Sequence, residues 1–172
     1  MTNVTLYAQY YDLDLFSNFT YFLNNPVLGD QFEQRDHRVI GGLKIDHKIL
    51  SNWLGLNVVN DFGIEVRDDD VFDMALNHTH DRNVYEKLSQ DSLNLFSFSP
   101  YFANRIQWTN RFRTVAGVRG DLFDGRVTDR LGGPNGGVAT AFLASPKLQL
   151  VFGPWWDTEM YIDGGFGFHE RH

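Results

Sequence analysis

Few residues in this chain have the types and spacing for chemistry. His78 and His80 stand two apart, with Asp81 beside them. In an extended strand such a pair points to one face, so two imidazoles can share a metal ion. A polar surface stretch accounts for the same residues without one. Asp68-Asp69-Asp70 offers carboxylates to a hard cation, but the further ligands and the glycine of a calcium-binding loop are missing at the required spacing. The run LGGPNGG at residues 131–137 lacks the Lys-Ser/Thr ending and the helix pattern of a phosphate loop, and reads as a turn. Glu159 and Asp163 are four apart. On one strand that is about 13 Å at roughly 3.3 Å per residue, wider than a glycosidase carboxylate pair. His169 and His172 close the sequence and read as incidental. Cysteine is absent, which removes thiol nucleophiles, disulfides and zinc-thiolate sites. No Ser-His-Asp arrangement has a local signature. The chain is therefore expected to carry no catalytic residue, no metal site and no cofactor.

The elements that would position these residues are strands. Aromatic residues make up 15% of the 172 residues, including 15 Phe, and they favour strands over helices. Alternation is plain over residues 4–10, where Val4, Leu6, Ala8 and Tyr10 share one face, and the extended aromatic character continues through Phe16, Phe19, Tyr21 and Phe22. Residues 24–30 read as a loop. Further strands are expected at about residues 35–46, from Trp53 to Arg67, to Trp108, at 111–123, 139–153 and 157–168. Residues 47–52 read as a short connection, and Gly-Pro-Trp-Trp-Asp at 153–157 as a turn. Pro100 lacks a ladder donor, so a bulge or open pairing is expected there. Residues 68–91 carry seven acids against Arg82 and Lys87, a net of −5, and read as a long polar loop; residues 124–137 read as another.

Two regularities emerge. Long polar connections alternate with short ones, and Trp53, Trp108, Trp155 and Trp156 all fall at the short ones. Membrane barrels have short turns on one side, longer loops on the other and aromatic girdles at the interfaces. Lys44, Asp46, Glu65, Arg67, Arg113, Arg119, Asp121, Lys147, Glu159 and Asp163 share the parity that would face a lumen. The fold expected is all-β: an antiparallel up-and-down transmembrane barrel segment of about seven strands, not closed. No apolar run reaches the roughly 20 residues of a membrane helix. The net charge of −7 argues against nucleic acid as a partner.

Several segments are familiar together. Residues 103–119 (ANRIQWTNRFRTVAGVR) and 145–169 (SPKLQLVFGPWWDTEMYIDGGFGFH) resemble paired strands in the barrel of TonB-dependent outer-membrane receptors. The N-terminal run VTLYAQYYDLDLFSNFTYFLNNP, followed by GDQFEQRD, resembles the long strands and loops of that family. The resemblance implies a barrel of about 22 strands around a plug. It implies transport of a scarce ligand, such as a ferric siderophore or cobalamin, in the outer membrane of a Gram-negative bacterium. The partners implied are outer-membrane lipid, the rest of the barrel and plug, the TonB complex through that plug, and a small-molecule or metal-chelate ligand. The sequence shows no plug, no TonB-box region and no signal peptide, and ends in His-Glu-Arg-His. Residues 1–172 are thus expected to be an internal barrel segment. Residues 16–22 and 68–91 are the expected contributors to ligand capture, with no individual contact assignable. The alternatives are a small independent outer-membrane barrel and a soluble β-sandwich binding module.

Overall fold

The computed structural model describes residues 1–167. Seven strands form one antiparallel sheet in chain order. They are β1 (Thr2–Ser17), β2 (Phe32–Trp53), β3 (Leu56–His80), β4 (Asn83–Thr109), β5 (Phe112–Asp129), β6 (Gly137–Trp155) and β7 (Thr158–Gly165). The expected class holds: the chain is all-β, up-and-down and not closed. None of the described residues forms a helix long and apolar enough to cross a membrane.

Register turns the alternation of single strands into two continuous faces. Leu6 lies opposite Leu43, which lies opposite Val66, then Phe98, Leu122 and Phe142. A second row runs Val58, Ile106, Thr114, Leu150 and Ile162. Between these rows the same face carries Phe62, Phe102, Val118 and Pro146. This apolar parity runs over residues 58–66 of β3, 96–106 of β4, 112–122 of β5 and 142–152 of β6, without one Asp, Glu, Lys or Arg. Its polar exceptions on β3 and β4, Asn60 and Asn104, bond to each other at 2.7 Å. The band ends sharply. The next row is Gly41, Asp68, Phe96, Asp124 and Thr140, where acids end the band on β3 and β5 and Phe96 is its last member on β4, and the one after contains Asp70, Asn94 and Arg126. At the opposite limit stand the Trp residues.

The other face carries the charge. Thr5, Lys44, Glu65 and Ser99 form one of its rows, and Tyr7, Gly42, Arg67 and Ser97 another. Exposure is inverted relative to a soluble sheet. Leu6 is 80% exposed and Phe142 68%, whereas Ser99 and Asp121 are 3% exposed. Ile40, Asp69, Val71 and Val151 on the polar parity are also buried; Val58 is the exception on the apolar side. A glycine makes part of this packing possible. A β-carbon at Gly63 would meet the Ile45 carbonyl and lie 2.9 Å from Tyr101 Cε1. The Tyr101 ring therefore lies across Gly63, and its hydroxyl donates to Asp46 on β2.

Several expected boundaries are corrected. Residues 68–91 are not a loop: β3 continues to His80, two residues turn the chain, and β4 starts at Asn83. Asp81 and Arg82 both have positive φ (48° and 64°), as a two-residue hairpin turn requires. Strand pairing absorbs the acids because their neighbours answer them. Arg67 Nε donates to Asp69 at 3.0 Å, and Asn94 donates to Asp68 at 3.1 Å. Alternation is lost to the eye there because register shifts fall at Val71/Met74, Leu76/Asn77 and His78/Thr79. Residues 47–52 belong to β2, and the turn is Leu54-Gly55, with φ 51° and 84°. The alternation of long and short connections is thus replaced by one of strand extension: residues 18–31 and 130–136 are loops, but β3 and β4 meet in a tight turn.

β1 stops at Ser17, so the aromatic residues up to Phe22 belong to the loop. β5 reaches Asp129 rather than ending at Phe123, because residues 124–127 pair with β6. Gly153, Pro154 and Trp155 lie within β6; the turn is Trp156-Asp157. β7 ends at Gly165, and Phe168, His169 and His172 lie outside the described residues. The expectation for Pro100 holds. Pro100 pairs with Ile64 of β3, while the β4–β5 ladder passes from Phe98 to Tyr101 without Ser99 or Pro100. Ser99 Oγ instead donates to Asp121 at 2.7 Å.

Candidate ligand-binding tip

Beyond the Asp68 row, residues 69–80 of β3 extend about 40 Å further at roughly 3.3 Å per residue, paired with β4. The loop of residues 18–31 folds against the tip of this hairpin. Backbone and side chains both hold it. Thr79 N donates to Gln31 O at 2.8 Å. Gln31 Oε1 accepts from Thr79 Oγ1 at 3.0 Å and from Arg82 N at 2.9 Å. The Arg82 guanidinium lies 5.4 Å from the Phe16 ring centroid.

The loop has a defined shape without regular structure. Asp30 accepts from the amides of Asn24 at 2.9 Å and Asn25 at 2.7 Å. Asn25 Oδ1 in turn accepts from Leu28 N at 2.9 Å. The amide of Asn24 is the largest influence holding the Asp30 carboxyl below its usual pKa, since these bonds favour the ionised form. Between loop and hairpin lies a cleft of about 480 Å³ whose walls include Phe19, Asn25, Asp30, Phe32, His78 and Tyr85. Both stretches singled out for ligand capture, residues 16–22 and 68–91, therefore meet at one place. Phe19 and Val27 are each 80% exposed, Leu23 75% and Tyr21 69%. One short loop thus gathers exposed aromatic and aliphatic surface.

The other candidates separate. His78 Nδ1 is 2.9 Å from Glu86 Oε2, and His80 Nδ1 is 2.7 Å from the Leu28 carbonyl, so each imidazole is engaged apart from the other. Asp68 and Asp70 take the parity of the apolar face, and Asp69 the opposite one, which divides the acidic triplet. Residues 131–137 span the β5–β6 loop and the start of β6; Asp129 Oδ1 accepts from Leu131 N at 2.8 Å. Glu159 is held by both terminal nitrogens of Arg113 at 2.8 Å and by the Tyr161 hydroxyl at 2.6 Å. That carboxylate ties β7 to β5 across the sheet.

The polar face is a linked set of ion pairs. Arg119 Nε donates to Asp121 at 2.7 Å and its Nη1 to Glu65 at 3.3 Å, which ties β5 to β3. Sequence reasoning missed one constellation. Asp12 and Asp14 of β1 and His37 of β2 converge, with donor atoms all within 4.8 Å of one another. The two acids alternate visibly, but only the register Asp12 opposite His37 brings the imidazole to them. Among known proteins, no family model and no curated protein matches this chain.

Proposed function

We propose that the chain is an internal segment of the barrel of a TonB-dependent receptor in the outer membrane of a Gram-negative bacterium. The single observation carrying the membrane part is the uncharged apolar band. It is 9 residues long on β3 and 11 on β4, β5 and β6. A tilted membrane strand needs about 9–11 residues. Trp residues border the band on the side of the β2–β3, β4–β5 and β6–β7 turns, and a row containing Asp68 and Asp124 borders it on the other. The charged face is then a lumen wall, where ion pairs are tolerated.

In this reading the tip formed by residues 18–31 and the β3–β4 hairpin is external and captures ligand, a small molecule or metal chelate. The role is binding and passage, not catalysis. The receptor identity rests on the resemblance of the segments around residues 4–36, 103–119 and 145–169. Sequencing the DNA on both sides of the reading frame tests it. The proposal expects the frame to continue into plug-like sequence upstream and further alternating strands downstream. Stop codons on both sides, with no receptor-like remnant beyond them, would overturn it in favour of a small barrel.

A further inference from the structure

We propose that Asp12, Asp14 and His37 form a binding site for one divalent transition-metal ion of the zinc class. The β1–β2 ladder sets Asp12 opposite His37, one same-face row beyond the Tyr10–Val39 pair, and Asp14 opposite Arg35 in the row after that. His37 Nε2 is shielded from solvent and makes no aligned hydrogen bond. Yet it lies 3.0 Å from Asp12 Oδ1 and 3.5 Å from Asp14 Oδ1. Two ligand atoms on a tetrahedral ion at about 2.0–2.1 Å stand about 3.3 Å apart, so these spacings suit a shared ion. One imidazole with two carboxylates is a mixed nitrogen and oxygen set, which favours zinc-like ions over calcium or magnesium.

The surroundings orient the set. The Tyr10 hydroxyl donates to Asp12 Oδ2 at 3.1 Å, which leaves Oδ1 toward the imidazole. Arg35 Nε donates to Asp14 Oδ1 at 3.1 Å. Phe72 stands at the irregularity in β3 and packs its ring 6.1 Å from His37 and 6.4 Å from Tyr10, an apolar wall beside the site. Charge also calls for a cation. Arg35 is the guanidinium shared by Asp14, Glu33 and Asp73, at 3.1, 3.0 and 3.2 Å. With Asp12 added, four carboxylates face one Arg and an imidazole.

The test is titration of zinc ion alone into the refolded full chain, followed by calorimetry, and of cobalt ion followed by its visible ligand-field bands. The proposal expects one ion per chain, tetrahedral cobalt bands, and at least about 10-fold weaker binding in His37→Ala and in Asp12→Asn. Replacing His78 and His80 together by Ala should leave that affinity unchanged. Asp12→Asn conserves shape, so it keeps the test decisive if His37→Ala fails to fold. Binding indifferent to Asp12→Asn, binding lost with His78 and His80, or no saturable binding at all would overturn the site.

Discussion

At the residue scale the polar face depends on charges that hold one another. Asp121 is 3% exposed and is served by Arg119 and Ser99. Arg119→Ala leaves that carboxylate with the serine alone. Because the Arg119 side chain is 42% exposed, water takes up part of the loss, and the expected destabilisation is about 1–2 kcal/mol in urea unfolding. Ser99→Ala should cost less, since the charged partner remains. The pH response of the tip is a second prediction. Asp30 titrates below its ordinary value of 3.8 because loop amides favour its ionised form. Its contribution to loop order is complete above pH 3.8 and fades as pH falls through the lowered folded value. Tyr and Phe signals from residues 19–22 should therefore stay native-like at pH 5 and loosen well below pH 4. An Asp30→Asn variant should show a loosened loop at both pH values.

At the element scale, strand pairing explains which expectations were legible. Val4 to Tyr10, Phe112 to Leu122 and Leu148 to Phe152 alternate cleanly, and each became a strand with the expected parity. The Trp positions marked three of the short turns, whereas the fourth, Asp81-Arg82 between β3 and β4, carries none. Residues 68–91 were opaque for a physical reason. Acids there alternate between faces and meet partners such as Arg67 and Asn94 on the same or neighbouring strands, and three register shifts break the period of two. Asp12, Asp14 and His37 were equally opaque, since the loop of residues 18–31 separates strands whose register alone unites them. Close approach between elements yields a third prediction. Gly63→Val would drive a side chain into the Ile45 carbonyl and the Tyr101 ring, and should cost about 1–3 kcal/mol. A Gly63→Val, Tyr101→Ala double variant should recover only part of that loss, because the carbonyl collision persists.

At the scale of the whole molecule, one face of the sheet carries an uncharged apolar band and the other the linked charges. Its edges, β1 and β7, do not pair with each other. In the proposed reading, further strands cover these exposed edges and lipid covers the apolar band. Adjacent residues on β6 separate the faces. Leu148→Arg places a charge in the apolar band and should cost about 2–4 kcal/mol in bilayers. Gln149→Arg, opposite Asp163 on the charged face, should be close to neutral. Because the chain has no cysteine, single cysteines can be introduced without background. The most direct measurement is a nitroxide scan of residues 142–152 in lipid bilayers, comparing collision with oxygen and with a water-soluble nickel chelate. The account predicts a period of two: residues 142, 144, 148, 150 and 152 favour oxygen, and 143, 145, 147, 149 and 151 favour the chelate. A scan without alternation, or with chelate access at every position, would contradict a membrane-spanning sheet.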